Sequence, residues 1–158
     1  MFTTSQNEAE EDTNLYSNYS NNLTPLIGEV YWMEFNGYEH GQKGWRPGVV
    51  LQNNVGNLHS PNLIALPLTT VLKKVNLPTH VVIPAVDSGL FEDSMVLCEN
   101  PVTMSKRRVG AYLTTLPDEY MGKIARANLL ATASISFLGE DELLEIRQET
   151  VSLNSHSA

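Results

Sequence analysis

The chain has 158 residues, enough for one domain with a sizeable core or for a core of about 110 residues with tails. Its single cysteine, Cys98, excludes an internal disulfide, and no uncharged apolar run reaches the roughly 20 residues of a membrane span, so a cytoplasmic protein with no membrane segment is expected. The formal net charge of -8 argues against a polyanionic partner until its distribution is read: residues 1–42 hold seven acidic residues and no Lys or Arg, residues 139–158 five acidic residues and one Arg, and residues 43–138 nine basic against six acidic.

Met1 to about Pro25 is rich in Asn, Ser, Thr and Glu and poor in apolar residues, which predicts a disordered tail over 1–25. From Ile27 to Phe35 the pattern alternates, with Val30 and Trp32 on one face and Tyr31, Met33 and Phe35 on the other, which predicts a first strand. Asn36 to Gly44 contains three glycines and reads as a loop. Pro47 to Gln52 is a continuous apolar run of the kind buried on both sides, followed by turn residues from Asn53 to Asn57 and a third strand over Leu63–Leu68. Thr79–Ile83 and Ser94–Cys98 are further strands, with Asp87-Ser88-Gly89 as a turn between them, and Val109–Leu113 is another. A helix is predicted over about 117–134, with Thr115 as N-cap, Pro117 in the first turn and Tyr120, Met121, Ile124 and Ala131 on one stripe. Glu140–Gln148 suggests a short amphipathic helix before a frayed Ser-rich end. Strands followed by a terminal helix predict a mainly β domain over 26–138, a small antiparallel barrel with a C-terminal helix, and an acidic extension over 139–158.

The stretch that carries chemistry is Gly44-Trp45-Arg46-Pro47-Gly48-Val49-Val50, together with the strand it faces, Asn62–Thr70. An arginine followed by proline and then a β-branched apolar run is a cation set at the lip of a buried strand, a place suited to an anion because guanidinium offers a planar fork of donors that stays charged.

Five segments in order resemble the MazF/PemK family of toxin endoribonucleases: Gly28-Glu29-Val30-Tyr31, the loop His40-Gly41-Gln42-Lys43-Gly44-Trp45-Arg46-Pro47, Val49-Val50-Leu51-Gln52-Asn53, Leu77-Pro78-Thr79-His80, and Asp93 to Glu99. The resemblance runs from about Ile27 to Phe137. It implies an SH3-like barrel, a homodimer, cleavage of single-stranded RNA without metal or cofactor, silencing by a cognate antitoxin protein, and contact with DNA only through that antitoxin. By the same resemblance Arg46 and Thr69 are the catalytic donors, and His40, with Glu39 or Glu99, is the candidate for proton transfer. Gln42, Trp45, Asn53, Thr70, His80, Ser94 and Asn100 fall with Glu39 among the RNA-binding positions.

The residue types suit that chemistry. Cleavage by the neighbouring 2′-hydroxyl needs a base for that hydroxyl, an acid for the leaving oxygen and donors for the charged phosphorane. Two departures from the family pattern stand out: Gly41 occupies a position where other members carry glutamate, and Leu97 replaces the PemK-type arginine. Competing structural readings stay open, with His80 as a satisfied histidine at a strand start, Trp45 as packing rather than a base-stacking platform, and Lys106-Arg107-Arg108 as an exposed basic turn. Two other functions fit the same barrel, a toxin that poisons a protein target such as gyrase and an inactive member that only binds antitoxin.

Overall fold

The computed structural model describes residues 24–37 and 41–155. The predicted tail over 1–25 falls almost entirely outside them. Seven strands form one antiparallel sheet: β1 (Glu29–Phe35), β2 (Gly44–Val50), β3 (Asn62–Thr69), β4 (His80–Ile83), β5 (Ser94–Leu97), β6 (Val102–Ser105) and β7 (Val109–Thr115). Their order is β4-β5-β3-β2-β1-β7, with β6 on β3.

The third strand organises this sheet. Along one edge, Gly48, Val49 and Val50 of β2 lie opposite Pro67, Leu66 and Ala65. Along the other, β6 pairs with residues 62–65 and β5 with Leu68 and Thr69. The change of partner falls at Pro67, which has no N–H to give a ladder. β3 is antiparallel to both strands, so the link from β5 to β6, Cys98 to Pro101, passes beside Pro67.

Both faces of the sheet are buried. On one, Val30, Val49, Leu66, Leu68, Val81 and Val96 pack with Tyr120, Ile124 and Ala127 of helix α3 (Asp118–Thr132), which follows the short helices α1 (Asn54–His59) and α2 (Ala85–Ser88). Tyr31, Met33, Phe35, Val50, Leu63, Ala65 and Met104 form a second core on the other face. At Gly48 a Cβ would lie 2.6 Å from Met33 Sδ and 2.9 Å from Phe35 Cζ, so the two large β1 side chains cross β2 where it has no side chain.

Several elements differ from the sequence reading. The second strand begins at Gly44 rather than Pro47 and takes in Trp45 and Arg46. Asn53 to Asn57 is no turn: Asn53 caps α1 by accepting from Gly56 N at 2.9 Å, and Asn57 donates to Gln52 O at 2.8 Å. Asp87 and Ser88 belong to α2, which ends in a left-handed Gly89. The fourth predicted strand starts at His80 rather than Thr79, and β6 was not foreseen. Thr115 does not cap α3; its hydroxyl bonds Tyr112 Oη at 2.8 Å, and Pro117 precedes the helix with no side-chain cap. The last helix, α4 (Glu140–Asn154), is longer than predicted, and Asn154 Oδ1 accepts from Asn54 N at 3.2 Å, docking its end on α1. Among the described residues, no helix is long and apolar enough to cross a membrane.

Gly48→Ala is expected to lower stability by about 1–3 kcal/mol through overpacking against Met33 and Phe35, read from the urea midpoint. An unchanged midpoint would show that the crossing at Gly48 has slack.

Candidate functional site

Arg46 sits in β2 opposite Met33 of β1. The β2–β3 register pairs Gly48 with Pro67, and continuing it by two residues in each strand sets Arg46 opposite Thr69. Directly opposed residues share a face, so both side chains lie on the face that carries Gly48 and Pro67. The pair comes from segments more than twenty residues apart in sequence.

The guanidinium is held by its two terminal nitrogens. Nη1 donates to Gln42 Oε1, and Nη2 donates to the Lys43 carbonyl at 2.8 Å. Nε is shielded from solvent and has no acceptor among the described residues. Burial lowers the pKa of Arg46 from its ordinary value; the group starts so high that it remains a cation at neutral pH. The result is a fixed, partly desolvated cation whose buried Nε–H has no acceptor among the described residues.

Thr69 Oγ1 accepts from Val71 N at 3.1 Å, which leaves its own proton free to donate. Thr70, next in the chain, is exposed. A groove of about 430 Å³ runs past Phe35, Gln42, Pro67, Glu99, Asn100 and Val102. The path of β3 explains why these residues meet: the Cys98–Pro101 link is carried beside Pro67, facing the loop that ends in Gln42. Gly37 closes that loop's base, since a Cβ there would lie 2.4 Å from the carbonyl oxygens of Gly41 and Gln42.

Glu99 is tied to His80, whose Nε2 lies 2.8 Å from Glu99 Oε1 while Nδ1 lies 3.0 Å from the Lys74 carbonyl. With a side chain only 8% exposed, His80 orients the carboxylate from behind the groove. This is the satisfied histidine of the structural reading. Cys98, beside Glu99, is not available as a nucleophile, because burial and the neighbouring carboxylate push its thiol up to about 12.

Not all the sequence candidates gather here. Glu39 and His40 lie outside the described residues. Strand alternation turns Trp45 to the face opposite Arg46, across from Glu34. Asn53 caps α1 and lines a separate groove with Thr150 and Asn154. Ser94 is buried at the far end of β5 from Glu99, where its hydroxyl donates to the Glu92 carbonyl at 3.1 Å. Sequence reasoning passed over Val102 and Thr103, which line the groove beside Glu99; they lie in the strand it missed.

Residues 27–130 match a family model described as PemK-like, MazF-like toxin of type II toxin–antitoxin system. The chain is 39% identical over 113 residues to Endoribonuclease EndoA of Bacillus subtilis (strain 168), covering 70% of this chain and 96% of that protein. Among solved structures it is similar to an endoribonuclease in complex with its cognate antitoxin from Mycobacterial species, with a TM-score of 0.59, 31% identity, and coverage of 70% of this chain and 96% of that one. It also superposes on MazF (Form-I) from Deinococcus radiodurans with a TM-score of 0.62 at 23% identity, covering 71% of this chain and 99% of that one, a likeness that bears on the fold alone.

A buried donor without an acceptor costs roughly 1–3 kcal/mol, and among the described residues Arg46 Nε has none. Arg46→Met is therefore expected to unfold at the same or a higher urea concentration than the wild type, by up to about 1 kcal/mol. A clearly lower midpoint would make Arg46 a structural residue.

Proposed function

The chain belongs to the PemK-like, MazF-like toxin family of type II toxin–antitoxin systems, and from that premise we propose that it cuts single-stranded RNA at the groove beside Arg46, as a homodimer silenced by a cognate antitoxin. The observation that carries the reading is the Arg46 guanidinium, clamped by Gln42 and Lys43 with Nε unmet, set across the strand pair from a threonine hydroxyl free to donate.

In the proposed reaction the 2′-oxygen attacks the adjacent phosphorus and the 5′-oxygen leaves with a proton, giving a 2′,3′-cyclic phosphate and a 5′-hydroxyl end. Charge builds on the non-bridging oxygens of the phosphorane. Arg46 and Thr69 donate to those oxygens, and their value lies in being fixed before the charge develops. The Gln42 and Lys43 contacts supply that fixation for Arg46, at no further loss of side-chain freedom when substrate arrives.

Proton transfer falls to Glu99 among the described residues, with Glu39 and His40 of the loop as the other candidates. Hydrogen bonding to His80 fixes one carboxylate oxygen of Glu99 and leaves the other for the substrate. Gln42 and Asn100, which line the groove, and the exposed Thr70 are assigned to the bases flanking the cut. Cleavage in this scheme draws on protein groups alone and needs no metal.

The test is incubation of the purified protein with mixed-sequence RNA in EDTA, followed by end mapping. The wild type is expected to leave cyclic phosphate and 5′-hydroxyl ends, with Arg46→Ala slower by about 10²–10³, the loss typical of one removed oxyanion donor. RNA left intact, or cut equally well by Arg46→Ala, contradicts the reading. Growth arrest that persists in Arg46→Ala with RNA intact would instead favour a toxin that poisons a protein.

A further inference from the structure

A second groove, of about 270 Å³, lies between β4 and α3 and is lined by His80, Val82, Lys123 and Arg126 among others. No carboxylate lines it. Lys123 and Arg126 are three residues apart on α3, and so sit on neighbouring turns of one helix face. Glu119 holds Lys123 at 2.9 Å, and the Lys123 ammonium lies 4.8 Å from the centre of the Tyr120 ring. Arg126 is exposed and, among the described residues, has neither an ion-pair nor a hydrogen-bond partner. Arg126 therefore keeps its full fork of donors for a ligand.

His80 joins this groove to the first. It lines the β4–α3 groove, and its Nε2 holds Glu99, which lines the groove beside Arg46. Glu99 is thus engaged by an imidazole on the side that faces the second groove. In a chain of net charge -8, a polyanion feels repulsion at long range, so any stretch that accepts phosphates must concentrate cations locally.

We propose that the β4–α3 groove carries the sugar–phosphate backbone of the RNA substrate beyond the cut site, with Arg126 and Lys123 contacting phosphates. This rests on the RNA-cleaving reading above. It assigns the two cations to affinity for longer substrates and leaves the reacting phosphate to Arg46 and Thr69. A backbone is favoured over an acidic peptide because His80, which lines this groove, holds Glu99 of the groove assigned to the reacting phosphate.

The experiment compares wild type with the double variant Lys123→Gln/Arg126→Gln, and with Arg147→Gln on α4 as a control that removes charge elsewhere. Binding is read by fluorescence anisotropy with uncleavable 2′-O-methyl RNA pools of about 20 and about 5 nucleotides, across a salt series. The double variant is expected to weaken binding of the long RNA about tenfold and to leave the short RNA unchanged. Its log–log salt slope should fall by about 1.4, since each single-strand phosphate contact contributes about 0.7. Cleavage of long RNA should show the loss in KM and not in kcat, while the control behaves as wild type. An unchanged long-RNA Kd, or equal losses on long and short RNA, overturns the proposal. So does a defect confined to antitoxin binding, which would mark the groove as a seat for an acidic peptide. Binding that follows the expected pattern without cleavage would instead sink the enzymatic reading and leave this groove assignment standing.

Discussion

The pairing of β3 with three other strands is the constraint on which the rest of the structure depends. Its middle lies against β2, and its two ends share the opposite edge between β6 and β5. Proline at the changeover removes the one N–H that would have joined a continuous ladder. Two consequences follow from this geometry. Continued past its last pair, Gly48 and Pro67, the register would set Thr69 across from Arg46, and the short link between β5 and β6 is laid along the groove, bringing Glu99 and Asn100 to face Gln42. A slip of one residue in that register would turn Thr69 to the opposite face from Arg46.

The barrel around the site is filled with well-packed apolar side chains on both faces, several with no solvent exposure at all. Against that background Arg46 ties down the loop before β2, and His80 links Glu99 to the Lys74 carbonyl. The acidic residues concentrate in the flanks, while the central 43–138 carries the excess of Lys and Arg. The overall charge therefore conceals a mildly basic central domain.

Much of the fold was legible because alternation and β-branched runs report burial directly: β1, β3 and β5 stand close to where the pattern put them. The errors have physical causes. Asn53 to Asn57 has turn composition, and it folds as a helix because Asn154, Gln52 and Lys106 supply partners from elsewhere in the chain. β6 was missed because its polar Thr103 and Ser105 dilute the apolar signal after Pro101, and its existence depends on the free edge of β3. Thr115 has the chemistry of a cap but is claimed by Tyr112 across the strand end. Of the proposed site, Arg46, Thr69 and Glu99 were singled out through residue type and family resemblance. Their mutual placement was not, because strand register is a property of the assembled sheet. Asn53 and Ser94 show the converse, polar residues whose side chains serve local backbone and not the groove.

The central proposal is that the Arg46 guanidinium is the cation that meets a phosphate oxygen of the RNA. It is tested most directly by following the Arg46 Nε–H resonance in 15N-labelled protein while uncleavable 2′-O-methyl RNA is added, with Arg46→Lys used to assign the signal. The account predicts a shift of that resonance that saturates with RNA binding, as the guanidinium it belongs to meets a phosphate. A resonance that stays in place while the RNA binds would contradict it.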